Sequence, residues 1–193
     1  TLAFEFSPGP RDGIGEQAGM RVHAGELYLA AKSVPIGSEL WKTNGLPGGT
    51  VLVRDLAAGS GDANPRYLTS ISASKLIFTA RTPGDGVELF ESDGTSLGTT
   101  LLADLNPGAP TGDANPIGMH SVGGDYVLFQ ADDGLTGKEL YRWDKSMGAT
   151  LLKDINPGAG DSFASDFSTS VIAGKLQTLF SAYDGGVNGW ELW

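Results

Sequence analysis

Two histidines, a tyrosine, an arginine and a recurring set of acidic and amide residues are the groups in this chain with types and spacing suited to chemistry. His23 and His120 are the whole histidine content, and Arg66-Tyr67 follows shortly after Asp62. A histidine or tyrosine set beside the carboxylate of Asp62 or Asp113 is the material of general acid–base catalysis. The acidic and amide residues follow a pattern. Gly61-Asp62-Ala63-Asn64-Pro65 and Gly112-Asp113-Ala114-Asn115-Pro116 are near duplicates, with Asp12 and Asp161 in matching places. Oxygens gathered this way suit a hard cation such as Ca²⁺, which takes about six to eight of them, and make Asp62, Asp113 and Asp161 the expected metal ligands. The same residues also suit Asx turns ahead of a proline, and no EF-hand loop is present. There is no Gly-x-Ser-x-Gly, no Walker loop and no His-Glu-x-x-His, and Gly13-Ile14-Gly15 lacks the third glycine of a dinucleotide fingerprint. The absence of cysteine removes thiol nucleophiles, Cys-ligated zinc and disulfide scaffolds.

The elements that must position these groups are written as a repeat. Gly-x-Glu-Leu-aromatic occurs four times, as Gly37–Trp41, Gly86–Phe90, Gly137–Tyr141 and Gly189–Trp193, with the glutamates 49, 51 and 52 residues apart. A second mark keeps step with it: Glu5-Phe6, Asp55-Leu56, Asp104-Leu105 and Asp154-Ile155, each followed by a turn sequence. Two marks on one period of about 50 residues indicate a tandem structural unit.

Within a unit, short apolar runs rich in β-formers alternate with turn residues. In the second, Arg66–Ile71, Lys75–Ala80, Val87–Ser92 and Thr99–Leu105 read as four strands with tight links, and Asn106–Asn115 as the long link onward. A four-stranded antiparallel meander of this size cannot cover both its faces alone, whereas several packed around an axis can. The expectation is an all-β, single-domain, four-bladed β-propeller over residues 1–193, with repeats at about 7–56, 57–105, 106–155 and 156–193 plus 1–6. Thr1–Phe6 aligns with the outermost strand Thr100–Leu105, so the N-terminal strand is expected to complete the last blade and close a monomeric ring. A start without Met or a signal pattern suggests a trimmed or processed end.

The segment Glu88-Leu89-Phe90-Glu91-Ser92-Asp93-Gly94-Thr95 and its sister copies resemble the ELWxxDGT repeat of large exported bacterial proteins, with Phe90 in place of the tryptophan. The third copy departs at Asp144-Lys145-Ser146, and the fourth has no such turn. The resemblance covers essentially the whole chain and implies a propeller-type unit and a secreted, periplasmic or cell-surface location, without implying a reaction. The ring also looks like hemopexin-type four-bladed propellers in size and blade number, with no ligand carried over.

A net charge of −10 and a pI near 4.5, without a basic cluster, argue against nucleic acid and anionic membranes. No apolar run is long enough to span a membrane. The repeated aromatics and glutamates are expected to serve the scaffold, the former packing between blades. The functional expectation is a non-catalytic binding module for a glycan, small molecule or protein. Its candidate residues line one channel mouth: Asp62, Asn64, Asp113, Asn115, His120, His23 and Asp161. No cofactor is required, Ca²⁺ being an option. The alternative is a small enzyme with a single asymmetric site at that mouth, drawing on His120, His23, Tyr67 and Arg66. His23 and His120 fall in opposite blades and are expected to face each other across the channel.

Overall fold

The computed structural model describes residues 13, 19–107, 112–124, 126–186 and 188–193. Among these the chain is all-β and without helix, so no helix is long and apolar enough to cross a membrane. Each expected repeat forms its own antiparallel sheet with strands in sequence order. The first sheet holds β1 (Met20–His23), β2 (Glu26–Ser33), β3 (Gly37–Thr43) and β4 (Thr50–Arg54). The second holds β5 (Arg66–Ser70), β6 (Leu76–Thr82), β7 (Gly86–Ser92) and β8 (Thr100–Ala103). The third holds β9 (Ile117–Gly123), β10 (Tyr126–Asp132), β11 (Lys138–Asp144) and β12 (Gly148–Lys153). The fourth has three described strands, β13 (Ser165–Ile172), β14 (Lys175–Tyr183) and β15 (Trp190–Leu192). Thr1–Phe6, expected to add a fourth strand here, and Asp12 lie outside the described residues.

Packing follows from the composition of the second and third strands. Leu76-Ile77-Phe78 in β6 and Val127-Leu128-Phe129 in β10 are buried on successive positions, which requires cover on both faces of the sheet. Three apolar clusters supply that cover. Tyr28, Leu40 and Val53 of the first sheet meet Leu68, Phe78 and Phe90 of the second. Ile77 and Leu89 of the second meet Phe129, Tyr141 and Trp143 of the third. Leu128 and Leu140 of the third meet Ala182, Phe167 and Phe180 of the fourth. Trp41, Phe90 and Tyr141 are 8%, 2% and 4% exposed, so these repeated rings pack within the body and are no platform for a ligand.

The links between sheets are fixed by backbone bonds that use the repeated residues. Ala63 N donates to Ser38 O of β3, and Ala63 O accepts from Arg81 N of β6, so one residue ties two sheets together. Ser162 repeats this between Lys138 and Tyr183. The glycine that opens each Gly-x-Glu-Leu strand makes the approach possible. Gly37 and Gly86 sit at φ of +87° and +80°, and a Cβ would lie 1.7 Å from Gly61 O and 2.3 Å from Gly112 O respectively. Only glycine meets both demands. The glutamate two residues on is fully buried in the first three sheets. Glu39 accepts from the backbone N–H of Leu56 and Ala57, Glu88 from Leu105 and Ala114, and Glu139 from Ile155 and Asn156. These donors belong to chain leaving its sheet, where no strand partner remains to satisfy them.

Candidate functional site

The first strands β1, β5, β9 and β13 lie side by side in chain order, and the last three of them carry the same irregularity. Each loses register just after its first paired residue: Arg66 opposite Thr79, Ile117 opposite Gln130 and Ser165 opposite Ser181. The residue after each of these adopts a left-handed backbone, with φ of 55° at Tyr67, 68° at Gly118 and 57° at Asp166. A bulge of this kind re-aims a side chain. It costs a non-glycine residue roughly 1–2 kcal/mol, a cost the third sheet avoids by placing glycine there. The scaffold thus offers this bulge in the second, third and fourth sheets, and the sequence fills the three with an aromatic, nothing and a carboxylate.

These bulges border two adjoining clefts. The larger, about 430 Å³, is lined by Tyr67, Gly118, His120, Gln130, Ser165 and Asp166. The smaller, about 300 Å³, lies between the second and third sheets and is lined by Asn64, Arg66, Tyr67, Thr79, Arg81 and Asn115. Tyr67 and Ile117 belong to both. In the larger cleft His120 Nε2 is 2.8 Å from Thr169 Oγ1, and its ring stacks on Phe167 at 5.8 Å between centroids. Burial lowers the His120 pKa from 6.5, so the imidazole is neutral at pH 7 and able to take a proton. Asp166 Oδ2 accepts from Ser181 Oγ at 2.9 Å and Ser165 Oγ at 3.3 Å. Its other oxygen, Oδ1, has no hydrogen bond among the described residues. The cleft therefore holds a neutral imidazole, a phenol and an oriented carboxylate, the set general acid–base chemistry uses.

The residues expected from the sequence divide. His120, Asn64 and Asn115 line the clefts, as do Tyr67 and Arg66. His23 does not join His120. It is 6% exposed, its Nδ1 lies 3.2 Å from Ser70 Oγ, and its ring meets Tyr28 edge-on. Each histidine is held by a hydroxyl of the next sheet, which corrects the expectation of a pair facing across the channel.

The three aspartates are clamps, one per junction. Asp62 accepts from Ser38 N and Lys32 Nζ, both at 2.9 Å. Asp113 accepts from Val87 N at 3.0 Å and Arg81 at 2.5 Å, and Asp161 from Lys138 N at 2.8 Å. The Lys32 ammonium holds Asp62 below the usual carboxylate range. Their oxygens are directed at different sheets, and no group of three or more acidic or histidine side chains suited to a metal occurs among the described residues. Asp62, Asp113 and Asp161 do not fit a shared Ca²⁺ site. Asp166, Ser181 and Gln130 were not singled out from the sequence. Aligning the units on Gly-x-Glu-Leu and on the strand before it places Asp166 where Tyr67 stands, so the signal was there to find.

No protein-family model matches the chain, and a search of curated proteins finds no match. Solved structures are similar. A mutant puromycin hydrolase complexed with PGG matches with a TM-score of 0.52 and 15% identity, over 90% of this chain and 26% of that one. The chain thus spans about a quarter of the hydrolase's length, and the likeness shows a shared fold. An endo-arabinase from Bacteroides thetaiotaomicron VPI-5482 matches over 91% of this chain and 72% of its own, with a TM-score of 0.39 and 13% identity. The catalytic domain of a Coprinopsis cinerea GH62 alpha-L-arabinofuranosidase matches over 94% and 68%, with a TM-score of 0.41 and 11% identity. The described clefts carry one asymmetric set of side chains where a repeated binding module would carry equivalent pockets, and the expectation of a non-catalytic binding module is corrected on that finding.

Proposed function

We propose that the chain is a small hydrolytic enzyme with a single site in the cleft bordered by β5, β9 and β13. One observation carries this reading: the same bulge, built three times by the scaffold, presents Tyr67, Gly118 and Asp166, and so gives the mouth one carboxylate and one phenol instead of three equivalents. Asp166 Oδ1 is the base that takes a proton from the attacking water, with Ser165 and Ser181 holding its other oxygen. That proton passes by way of the neutral His120 imidazole to the leaving group as its bond to the attacked carbon breaks, and the Tyr67 hydroxyl donates to the oxygen on which charge develops. The bond cleaved is an acyl or glycosyl bond of a small polar substrate. The names of the similar enzymes support that range without selecting within it.

The same reading takes the four sheets as blades of a closed monomeric ring completed by Thr1–Phe6, belonging to an exported bacterial protein of the ELWxxDGT kind. The fourfold Gly-x-Glu-Leu period and the backbone ties between successive sheets support it. Light scattering that returned a defined multimer would count against the self-closed ring.

Hydrolysis is tested with a panel of p-nitrophenyl esters and p-nitrophenyl glycosides, α-L-arabinofuranoside included. The native protein is expected to turn over at least one member, and Asp166→Asn and His120→Gln to lose about 100-fold or more of that rate, in line with general acid–base contributions of about 10²–10⁴. Turnover by neither native protein nor variants across the panel, or an unchanged rate in Asp166→Asn, would sink the proposal.

A further inference from the structure

The smaller cleft differs from the larger in its charge. Of its two guanidinium groups, Arg81 is bonded to Asp113 at 2.5 Å. Arg66 lines the same cleft and has no ion pair among the described residues. Arg21 and Arg54 lack an ion pair too, but Arg21 donates to Ser70 Oγ and Arg54 to the carbonyls of Ser96 and Thr99, whereas the Arg66 guanidinium makes no hydrogen bond among the described residues. The cleft therefore carries one uncompensated positive charge. Its side amides do not cancel it: the Asn115 amide nitrogen donates to Asp113 O at 3.2 Å, and that of Asn64 to Asp62 O at 3.5 Å. The remaining walls are Pro116, Ile117 and Val87, together with the ring of Tyr67, which is 44% exposed. The space, about 300 Å³, is at the lower end of what small-molecule sites occupy.

We infer that this cleft, with Arg66 as its anchor, binds the carboxylate of a substrate that also carries a planar or aliphatic apolar group. The guanidinium presents two parallel N–H donors that match the two oxygens of a carboxylate. The single net charge matches a monoanion better than a phosphate dianion. Tyr67 and Ile117, shared with the larger cleft, place the bound group next to the carboxylate and imidazole of the reacting site. The use of this subsite in turnover rests on the hydrolytic reading above, while its binding chemistry does not. Arg66 is thus assigned as a specificity residue for acidic substrates.

The test is a binding titration by NMR or calorimetry with benzoate, its neutral analogue benzyl alcohol, and inorganic phosphate at pH 8, on native protein and the Arg66→Gln and Arg66→Lys variants. Saturable benzoate binding is expected, at least about 10-fold tighter than benzyl alcohol. Arg66→Gln should weaken benzoate by about 10-fold or more and leave benzyl alcohol unchanged, with Arg66→Lys falling between. Arg66 is exposed, so the melting midpoint should hold in both variants and exclude misfolding as the cause. The inference is overturned by equal binding of benzoate and benzyl alcohol, by unchanged benzoate binding in Arg66→Gln, by phosphate binding tighter than benzoate, or by no saturable binding. Asp166→Asn combined with His120→Gln should keep native benzoate affinity. A protein that bound benzoate through Arg66 and hydrolysed nothing would overturn the enzyme proposal and leave the carboxylate site standing.

Discussion

Replacing Glu88 by glutamine should change how stability depends on pH. Glu88 is fully buried, and its two oxygens accept from Leu105 N at 2.8 Å and Ala114 N at 3.1 Å. Two N–H donors favour the carboxylate, but loss of hydration outweighs them and pushes the pKa up from 4.5 to about 7. Between those values the folded protein binds more protons at this site than the unfolded chain, so the slope of stability with pH is negative. The stabilisation is full below about 4.5 and is lost as pH rises through about 7. The whole gap is worth about 3 kcal/mol at about 1.4 kcal/mol per pH unit. The part falling between pH 5 and pH 8 is about 2.5 kcal/mol, or about 5–10 °C in melting midpoint for a chain of this size.

Glu88→Gln removes that titration. The glutamine carbonyl keeps one of the two bonds, and its NH₂ faces the other N–H, costing about 1–3 kcal/mol for an unsatisfied buried donor. The variant should therefore melt below the native protein at pH 5, and the gap should shrink by about 5–10 °C, or reverse, at pH 8. Glu39, also raised to about 7, and the two histidines, whose pKa values are lowered, titrate identically in both proteins and cancel in the difference. Calorimetric melts at pH 5, 6, 7 and 8 at constant ionic strength read it directly. Parallel curves for the two proteins would refute the reasoning, since they would mean that the N–H bonds hold Glu88 ionised throughout.

Three further outcomes follow from the packing. Gly86→Ala should cost at least about 2 kcal/mol, because φ is +80° and its Cβ would press on Gly112 O, while Gly25→Ala, at φ +81° with nothing within 4 Å, should cost only about 1–2 kcal/mol; equal shifts in urea midpoint would dismiss the contact. Phe129→Ala should lose about 3–5 kcal/mol by denaturant titration, since the ring is fully buried and stacks on Tyr141 at 5.9 Å. Excess chelator should leave the melting midpoint unmoved, because Asp62, Asp113 and Asp161 are bound to separate sheets; a drop would reveal a cation that stabilises the folded state.

The strands were legible in the sequence to within a residue or two, because the Gly-x-Glu-Leu mark fixes the third strand of each unit and turn residues bound the others. The mouth was not, and the reason is physical. Searching for a repeat draws the eye to residues that recur, and recurring residues here build the scaffold. The groups that distinguish one sheet from another stand at a bulge, which arises from a register break between two strands and leaves no mark in a one-dimensional pattern. Tyr67 and Asp166 both occupy that bulge, and only alignment of the units with one another shows that they correspond. The spacing of the aspartates suits cation ligands, and nothing in it shows that backbone N–H groups of Ser38, Val87 and Lys138 reach them first.

That competition also gives some of the acidic residues a role. Each junction between sheets carries chain out of one sheet and into the next, and its N–H groups have no strand to pair with. A carboxylate can satisfy two such donors where a hydroxyl or amide oxygen is weaker. The chain applies this solution at every described junction, with Glu39 and Asp62 at the first, Glu88 and Asp113 at the second, and Glu139 and Asp161 at the third. Two of the three aspartates gain a cation, and at the register position that Lys32 and Arg81 hold in β2 and β6, β10 carries Asp132. Six of the 23 acidic side chains are thereby committed to joining the sheets. Among the described arginines Arg66 alone neither pairs with a carboxylate nor donates a side-chain hydrogen bond, and that sets it apart as a ligand contact more than the excess of acids does.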